Sequence, residues 1–518
     1  MCRQLEPCMK IFRFCFLSLF CAGAAHAVHV SPDRTGQVLL YPYYTANAGN
    51  QTLLTVVNHT NAPKLLKVRF HESRNGRTVQ SLNLFLGAND IWTAAIFALD
   101  QGSDAPALLQ TSDSSCVTTD ASDAIVSTIG ASRYRFSNAG YNGALDDAAS
   151  NTLDRTREGH IEIIEMATIL SNSETGKALR KLNGASDCTA IRLSSNVDGS
   201  YGNSGFGTLP ADFVAPSGYL SGTGAIVDAA KGTLLNYGAT ALDGFRTQAF
   251  YTRAGSEEPN LSHADPKSAI LLPSGQVEFV WGGELVGGNS ATGQRIDAVS
   301  SVLMASTINN EYSVETSLSA QTEWVISFPT KRFYIDPRLS GVSNRISPFL
   351  SAGGTFLGRL EDSMNCVPFS YGIQDRNERF EGPSTIVNLG LPPSPHLCGS
   401  TSIVRFRKSA QPGGFSEGYS DSPMLSGKFE LNLEAFESGS ASLFITRPVG
   451  NSNTPYALRP AIGTDQPRIL GLPVIGFSAI RFENRNAMPN IQGFYDGAYD
   501  HIRIKSCLKG EIRSFTCN

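Results

Sequence analysis

The sequence predicts a mainly β protein of tandem antiparallel β-sandwich domains, immunoglobulin-like in outline, with long loops and a few short helices. Three observations carry that expectation. Short runs that alternate apolar and polar residues recur at intervals of about ten residues. Turn signals, of which Asn75-Gly76 is the strongest, separate them. The composition has 49 Gly and 26 Pro in 518 residues, with only 17% charged residues, which suits a loop-rich β chain better than a helical bundle.

Residues 36–44, 51–58 and 64–72 read as the first three strands. In the third, Leu66, Val68 and Phe70 alternate with Lys67, Arg69 and His71, so one face is apolar and the other charged. Beyond Asn75-Gly76, residues 77–86 and 90–97 continue the series, and 157–169 returns to it after a Ser/Asp-rich loop over 100–131. Residues 171–183 predict a short helix capped by Ser173. A hairpin is expected over 218–245, a helix over 297–307 capped by Asp297, and a long strand over 322–336 broken near Pro329. In the last third Phe429, Leu431 and Leu433 alternate with polar residues, a hairpin partner follows across 437–440, and 472–484 is the last long strand. Trp92, Trp281 and Trp324 sit among apolar residues and are expected in the core. The expected division is a signal peptide at 1–27, an N-terminal sandwich at 28–195, a middle β-rich domain at 196–345 and a C-terminal sandwich at 346–518.

The first strand ends on Tyr41-Pro42-Tyr43-Tyr44. Tyr41 and Tyr43 share a face with Leu39, and Pro42 offers no N–H, which predicts an edge strand or a strand end. Tyr41 and Tyr43 are accordingly candidate binding residues beside an open edge.

The N-terminus reads as an export signal: Lys10 and Arg13, an apolar stretch over 14–24, and the cleavage pattern Ala25-His26-Ala27. The mature chain is then expected to begin at Val28 and to carry six cysteines, Cys116, Cys188, Cys366, Cys398, Cys507 and Cys517. An even number in an exported chain predicts disulfides, and neighbour pairing gives Cys116–Cys188, Cys366–Cys398 and Cys507–Cys517. The chain's formal charge of −4 becomes −6 once three cations and one anion of the signal are lost. No basic stripe is present, so nucleic acid is not an expected partner. The mature chain contains no apolar run of membrane-spanning length.

Catalytic signals are sparse. Gly414-Phe415-Ser416-Glu417-Gly418 matches G-x-S-x-G, but turn-like residues flank it where a nucleophile elbow needs a strand and a helix. Glu158, His160 and Glu162 fall on one face of a strand, where a solvated face with Ile161 and Ile163 behind it is the expectation. No second ligand cluster accompanies them, so no metal is expected, and the absence of phosphate-binding or dinucleotide motifs predicts no cofactor. The charged run over 374–383, with Asp375, Arg376, Glu378 and Arg379, is a candidate binding loop tethered between Cys366 and Cys398.

"GQVLLYPYYT", "TLLTVVNHT", "TEWVISFPTKRFYI" and "LPVIGFSAIRFEN", behind an export signal, resemble a group of large, uncharacterised secreted proteins of Gram-negative bacteria. That group has no assigned activity, so the resemblance implies a compartment and carries over no functional residue. The expectation is an exported, disulfide-stabilised protein in the periplasm, on the outer surface or outside the cell. It would act non-enzymatically in adhesion, surface assembly or polymer binding, with envelope proteins or surface polysaccharide as partners. The alternative is a secreted carbohydrate-active or esterase-type hydrolase using Ser416, or Glu158 and Glu162.

Overall fold

The alternation over residues 38–97 builds five strands: β1 (Val38–Thr45), β2 (Gln51–Asn58), β3 (Lys64–Glu72), β4 (Thr78–Leu86) and β5 (Ile91–Phe97). The structure is a computed structural model. It describes residues 27–120, 124–126, 131–147, 149–181, 186–196, 199–201, 209–272, 275–283, 293–341, 346–349, 366–381, 396–408, 415–417, 424–425, 429–433, 436–446, 455–463, 467–488, 491–509 and 512–514. The export signal and Cys517 lie outside the described residues.

The chain returns to these strands with β6 (Glu158–Ile169), β7 (Leu220–Asp228) and β8 (Thr233–Gly238). One sheet runs His29–Val30, Thr240–Asp243, β1, β6, β3, β4 and Cys116–Thr118, with Phe213–Val214 beside β6. The second runs β8, β7, β2, β5, Leu108–Thr111, Ser132–Arg135 and Ala124–Val126. All their ladders are antiparallel. Between the sheets, Leu66, Val68, Phe70 and Ile163 meet Leu54, Val56, Trp92 and Ile226. Each fully buried aliphatic or Phe side chain contributes roughly 1.5–3 kcal/mol relative to exposure.

β1 pairs with β6 on one side, while on the other Thr240–Asp243 reaches only Val38–Leu40, so the Tyr41–Thr45 end has a ladder on one side alone, as expected of the strand end that Pro42 marks. Pro42 is accommodated by a bulge. Ile161 pairs with Tyr41 and Gly159 with Tyr44, so one residue of β6 opposes two of β1 where the ladder is interrupted.

A second sandwich follows, made of β9 (Thr307–Ser313), β10 (Gln321–Ser327), β11 (Ser370–Asp375), β12 (Thr401–Lys408), β13 (Phe429–Leu433), β14 (Ser438–Phe444), β15 (Ile475–Met488) and β16 (Ile491–Asp500). Its five-stranded sheet runs Phe380–Glu381, β11, β14, β9 and Ile502–Ile504. Its six-stranded sheet runs Phe415–Glu417, β13, β12, β10, β15 and β16, with β12 and β13 parallel. β13 and β14 therefore belong to different sheets, and the segment between them is a crossover rather than the expected hairpin. Strands from 196–345 serve both sandwiches: β7 and β8 join the N-terminal one, β9 and β10 the C-terminal one.

Short helices decorate the sheets. α1 (Glu174–Ala178) begins at Ser173, whose hydroxyl accepts from the Gly176 N–H at 3.1 Å, as expected of a cap. α2 (Cys188–Ser195) starts at a disulfide cysteine. α3 (Arg295–Leu303) begins two residues before Asp297, so that residue is not the cap. Its buried carboxylate instead accepts from the Gln294 N–H at 2.7 Å, Tyr334 at 2.9 Å and Arg459 at 2.7 Å. α4 (Arg332–Ile335) replaces the second half of the long strand expected over 322–336. Among the described residues no helix is long and apolar enough to cross a membrane.

The six-stranded sheet packs on the N-terminal sandwich. Val325, Ile403, Phe477 and Ala479 join its core, and Phe477 stacks on Tyr237 at 4.9 Å between centroids. Disulfides link Cys116 to Cys188 and Cys366 to Cys398, as neighbour pairing predicts. Cys507 is also disulfide-bonded.

Candidate binding face

The tyrosines of β1 are core residues. Tyr41 and Tyr43 are fully buried. The Tyr41 hydroxyl crosses the sandwich and donates to the Thr55 carbonyl at 2.7 Å; Tyr43 donates to Glu158 at 3.1 Å. Tyr44 donates to the Thr156 carbonyl at 3.0 Å. Gly222 makes room for Tyr41, because a Cβ there would overlap its hydroxyl. Burial pushes the Tyr41 phenol well above its ordinary pKa, with Tyr237 adding to the effect. As described, these rings offer no surface to a ligand.

Glu158, His160 and Glu162 are likewise buried, which corrects the solvated-face expectation. The reason lies about ninety residues downstream. Residues 246–263 strap across the charged face of β3, β4 and β6, with the Thr252 carbonyl taking the Asn83 amide at 2.9 Å and the Arg253 carbonyl taking Lys67 at 2.8 Å. Beneath the strap Arg69 pairs with Glu162 at 2.7 Å and also donates to the carbonyls of Glu257 and Pro259. The His71 and His160 rings stack at 5.0 Å. Burial, reinforced by the nearby Arg332 charge, drives His160 down to about 3 and His71 in the same direction. Partial desolvation alone would raise the carboxyl of Glu257, which is half exposed at the edge of this layer, but Arg332 and Arg69 hold it below its ordinary value.

A second buried group anchors the Asn75-Gly76 turn. The Glu72 carboxylate accepts from the backbone N–H groups of Arg74, Asn75 and Arg77 at 2.8–3.0 Å. Arg155 joins Glu72 at 3.2 Å and Asp147 at 2.8 Å. Arg77 reaches Asp336, the Ser400 N–H donates to the Ser73 carbonyl at 2.7 Å, and Lys331 donates to the Gly399 carbonyl at 2.7 Å. The first two of these bonds tie the two sandwiches together, and the third braces the C-terminal one beside them. The carboxylates of both groups face cations and backbone donors in closed packing, an arrangement suited to cohesion rather than to proton transfer with a substrate. Among the described residues no three His, Cys, Asp or Glu side chains are grouped so as to hold a metal ion. Ser416 occupies the middle of a short edge strand, paired with Glu430 across the ladder, and not a strand-to-helix elbow; Gly414 and Gly418 lie outside the described residues.

The charged run forms the turn between β11 and Phe380–Glu381. Asp375 closes it by accepting from the Asn377 and Arg379 N–H groups at 2.9 and 2.8 Å and from the Arg379 guanidinium at 2.6 Å. Arg376 reaches Glu315 at 3.0 Å, and Glu378 takes a left-handed φ of 62°. The turn's own charges are thus largely engaged, and what it presents is Phe380, 64% exposed.

Phe380 stands on the outer side of the five-stranded sheet near Phe444, which is 37% exposed, with Ile502 and Ile504 also exposed on that sheet. Cross-strand pairing places Gly372 opposite Ser442, with Phe444 opposite both Ser370 and Thr307. Both phenyl rings converge over Gly372: a Cβ there would meet Phe380 at 2.7 Å and Phe444 at 3.5 Å. Two exposed rings set among hydroxyl and amide side chains can take a ligand that offers apolar faces and polar edges together. Sequence reasoning missed this face because Phe380 is hidden inside a charged run and Phe444 lies far away in sequence. No family model, curated protein or solved structure matches the chain.

Proposed function

We propose that this chain is an exported, disulfide-stabilised protein that acts without catalysis at the cell envelope or outside the cell, binding an extended polymer through the exposed face of its C-terminal sandwich. The observation that carries the reading is the pair Phe380 and Phe444 converging over Gly372 on an exposed sheet. Sugar rings, with C–H faces and hydroxyl edges, suit phenyl rings flanked by Ser370, Ser442 and Gln374. The two disulfides are compatible with an oxidising compartment. The export signal read over residues 1–27 points the same way.

The test is depletion of the mature protein from solution by insoluble uncharged polysaccharides and by cell-envelope fractions. The wild type is expected to bind, and a Phe380→Ala/Phe444→Ala variant with an unchanged Tm is expected to lose most of that binding. A wild type that binds none of these materials, or a double variant that binds equally well, overturns the proposal.

A further inference from the structure

The charged face beneath the strap holds histidines packed as neutral rings. His71 on β3 and His160 on β6 lie directly opposite in the ladder and stack at 5.0 Å. His71 Nε2 and His160 Nδ1 are buried without a hydrogen-bond partner, so a second ring proton finds no acceptor there. The Glu162 carboxylate stands 3.9 Å from His71 and is already taken by Arg69. The other charges on this face are Lys67 on β3, Glu158 on β6, Glu257 on the strap and Arg332 on α4, while β4 contributes none. Arg332 bonds the Thr78 hydroxyl at 3.3 Å, and that hydroxyl lies 3.4 Å from His71 Nδ1, so a guanidinium charge stands close to the pair. A third histidine, His263, belongs to the strap. Its Nδ1 accepts from the Asn260 N–H at 3.3 Å, and charging the ring removes that acceptor. Arg246 and Glu258 on the strap, Arg69 on β3 and Arg295 on α3 are the charges around it.

We infer that residues 252–260 are an acid-released strap, lifted from the charged face when these histidines take up protons while its two ends stay in place. The build of the strap favours such a local opening. Phe250 and Tyr251 before it and Leu261 after it are buried apolar anchors, whereas Gly255, Glu257 and Glu258 between them are exposed. The middle is held by polar bonds: the Gly255 N–H to the Ser81 carbonyl at 3.2 Å, Glu257 to Arg332 at 3.2 Å, and strap carbonyls to Lys67, Arg69 and Asn83. A stretch with few buried apolar contacts opens before the core does. In the closed form burial and neighbouring guanidinium charges hold His160 down to about 3 and His263 to about 4, and drive His71 the same way. Opened to water, the rings return toward 6.5. The open form then binds protons that the closed form refuses, so it gains as pH falls below 6.5. From pH 7 to pH 5 His160 and His263 each multiply the open population roughly twentyfold. The device is independent of polymer binding on the C-terminal sandwich.

Hydrogen exchange on the mature protein tests this, read by mass spectrometry on peptides covering 252–260 and corrected for the intrinsic pH dependence of exchange. Between pH 7 and pH 5 the protection of this stretch is expected to fall at least about a hundredfold, while β3 and β6 beneath it stay protected. His160→Gln and His263→Asn should each remove about a twentyfold share of that fall, the asparagine keeping an acceptor for the Asn260 N–H. Protection of β2 and β5 confirms in the same spectra that each variant is folded. Protection over 252–260 that is equal at the two pH values overturns the inference. So does a fall that merely keeps step with β3 and β6, which is global unfolding, or a fall that neither variant reduces.

Discussion

The buried histidine pair makes stability depend on pH in a way that can be assigned to one residue. His160 has its folded-state pKa depressed from 6.5 to about 3, chiefly by burial and then by Arg332. Between those values the unfolded chain binds a proton that the folded chain refuses, so stability is lost as pH falls. The slope from this one group is about 1.4 kcal/mol per pH unit, and going from pH 8 to pH 5 costs about 2 kcal/mol. His501, depressed to about 3 by burial, His263, depressed to about 4, and His71 change stability in the same direction, which is why a variant is needed for assignment. Urea unfolding of wild type and His160→Gln from pH 4 to pH 7 measures both slopes. The variant should be flatter by about 1 kcal/mol per unit averaged over that window, approaching about 1.4 between pH 4 and pH 6, whatever its stability at neutral pH. Equal slopes would show that His160 is solvated or already charged in the folded protein, and the buried-layer account would fail.

Two further predictions concern packing. Gly222→Ala should destabilise by about 1–3 kcal/mol, because its methyl group competes with the Tyr41 hydroxyl. Tyr41→Phe removes that hydroxyl, so in a double-mutant cycle the pair should cost less than the sum of the single changes. Glu162→Leu should cost about 3–5 kcal/mol by stranding buried Arg69, and Arg69→Leu on that background should recover part of the loss in urea unfolding.

Strand identity was legible because period-two alternation needs no tertiary information. The ranges over 51–58 and 64–72 match β2 and β3, and Asn75-Gly76 forms the expected turn. The sequence does not say what lies against each face. Lys67, Arg69 and His71 alternate identically whether water or a strap covers them, and the strap carries no local mark of where it docks. Pro42 marked where β1 loses its second neighbour, but the bulge in its ladder with β6, which tolerates the missing donor, depends on a strand more than a hundred residues away. β13 and β14 read as a hairpin because they are close in sequence, yet each found its ladder in a different sheet. The Phe380 and Phe444 face depends on pairing between β11 and β14, some seventy residues apart, and no periodicity connects them.

The proposal rests on export into an oxidising compartment, and one measurement tests that premise directly. It is the intact mass, before and after thiol alkylation under denaturing conditions, of the protein recovered from fractionated cells. The account predicts a chain beginning at Val28 in the extracytoplasmic fraction, with Cys116, Cys188, Cys366 and Cys398 refusing the alkylating reagent until reduced. An unprocessed chain in the cytoplasm with those four thiols free would contradict it.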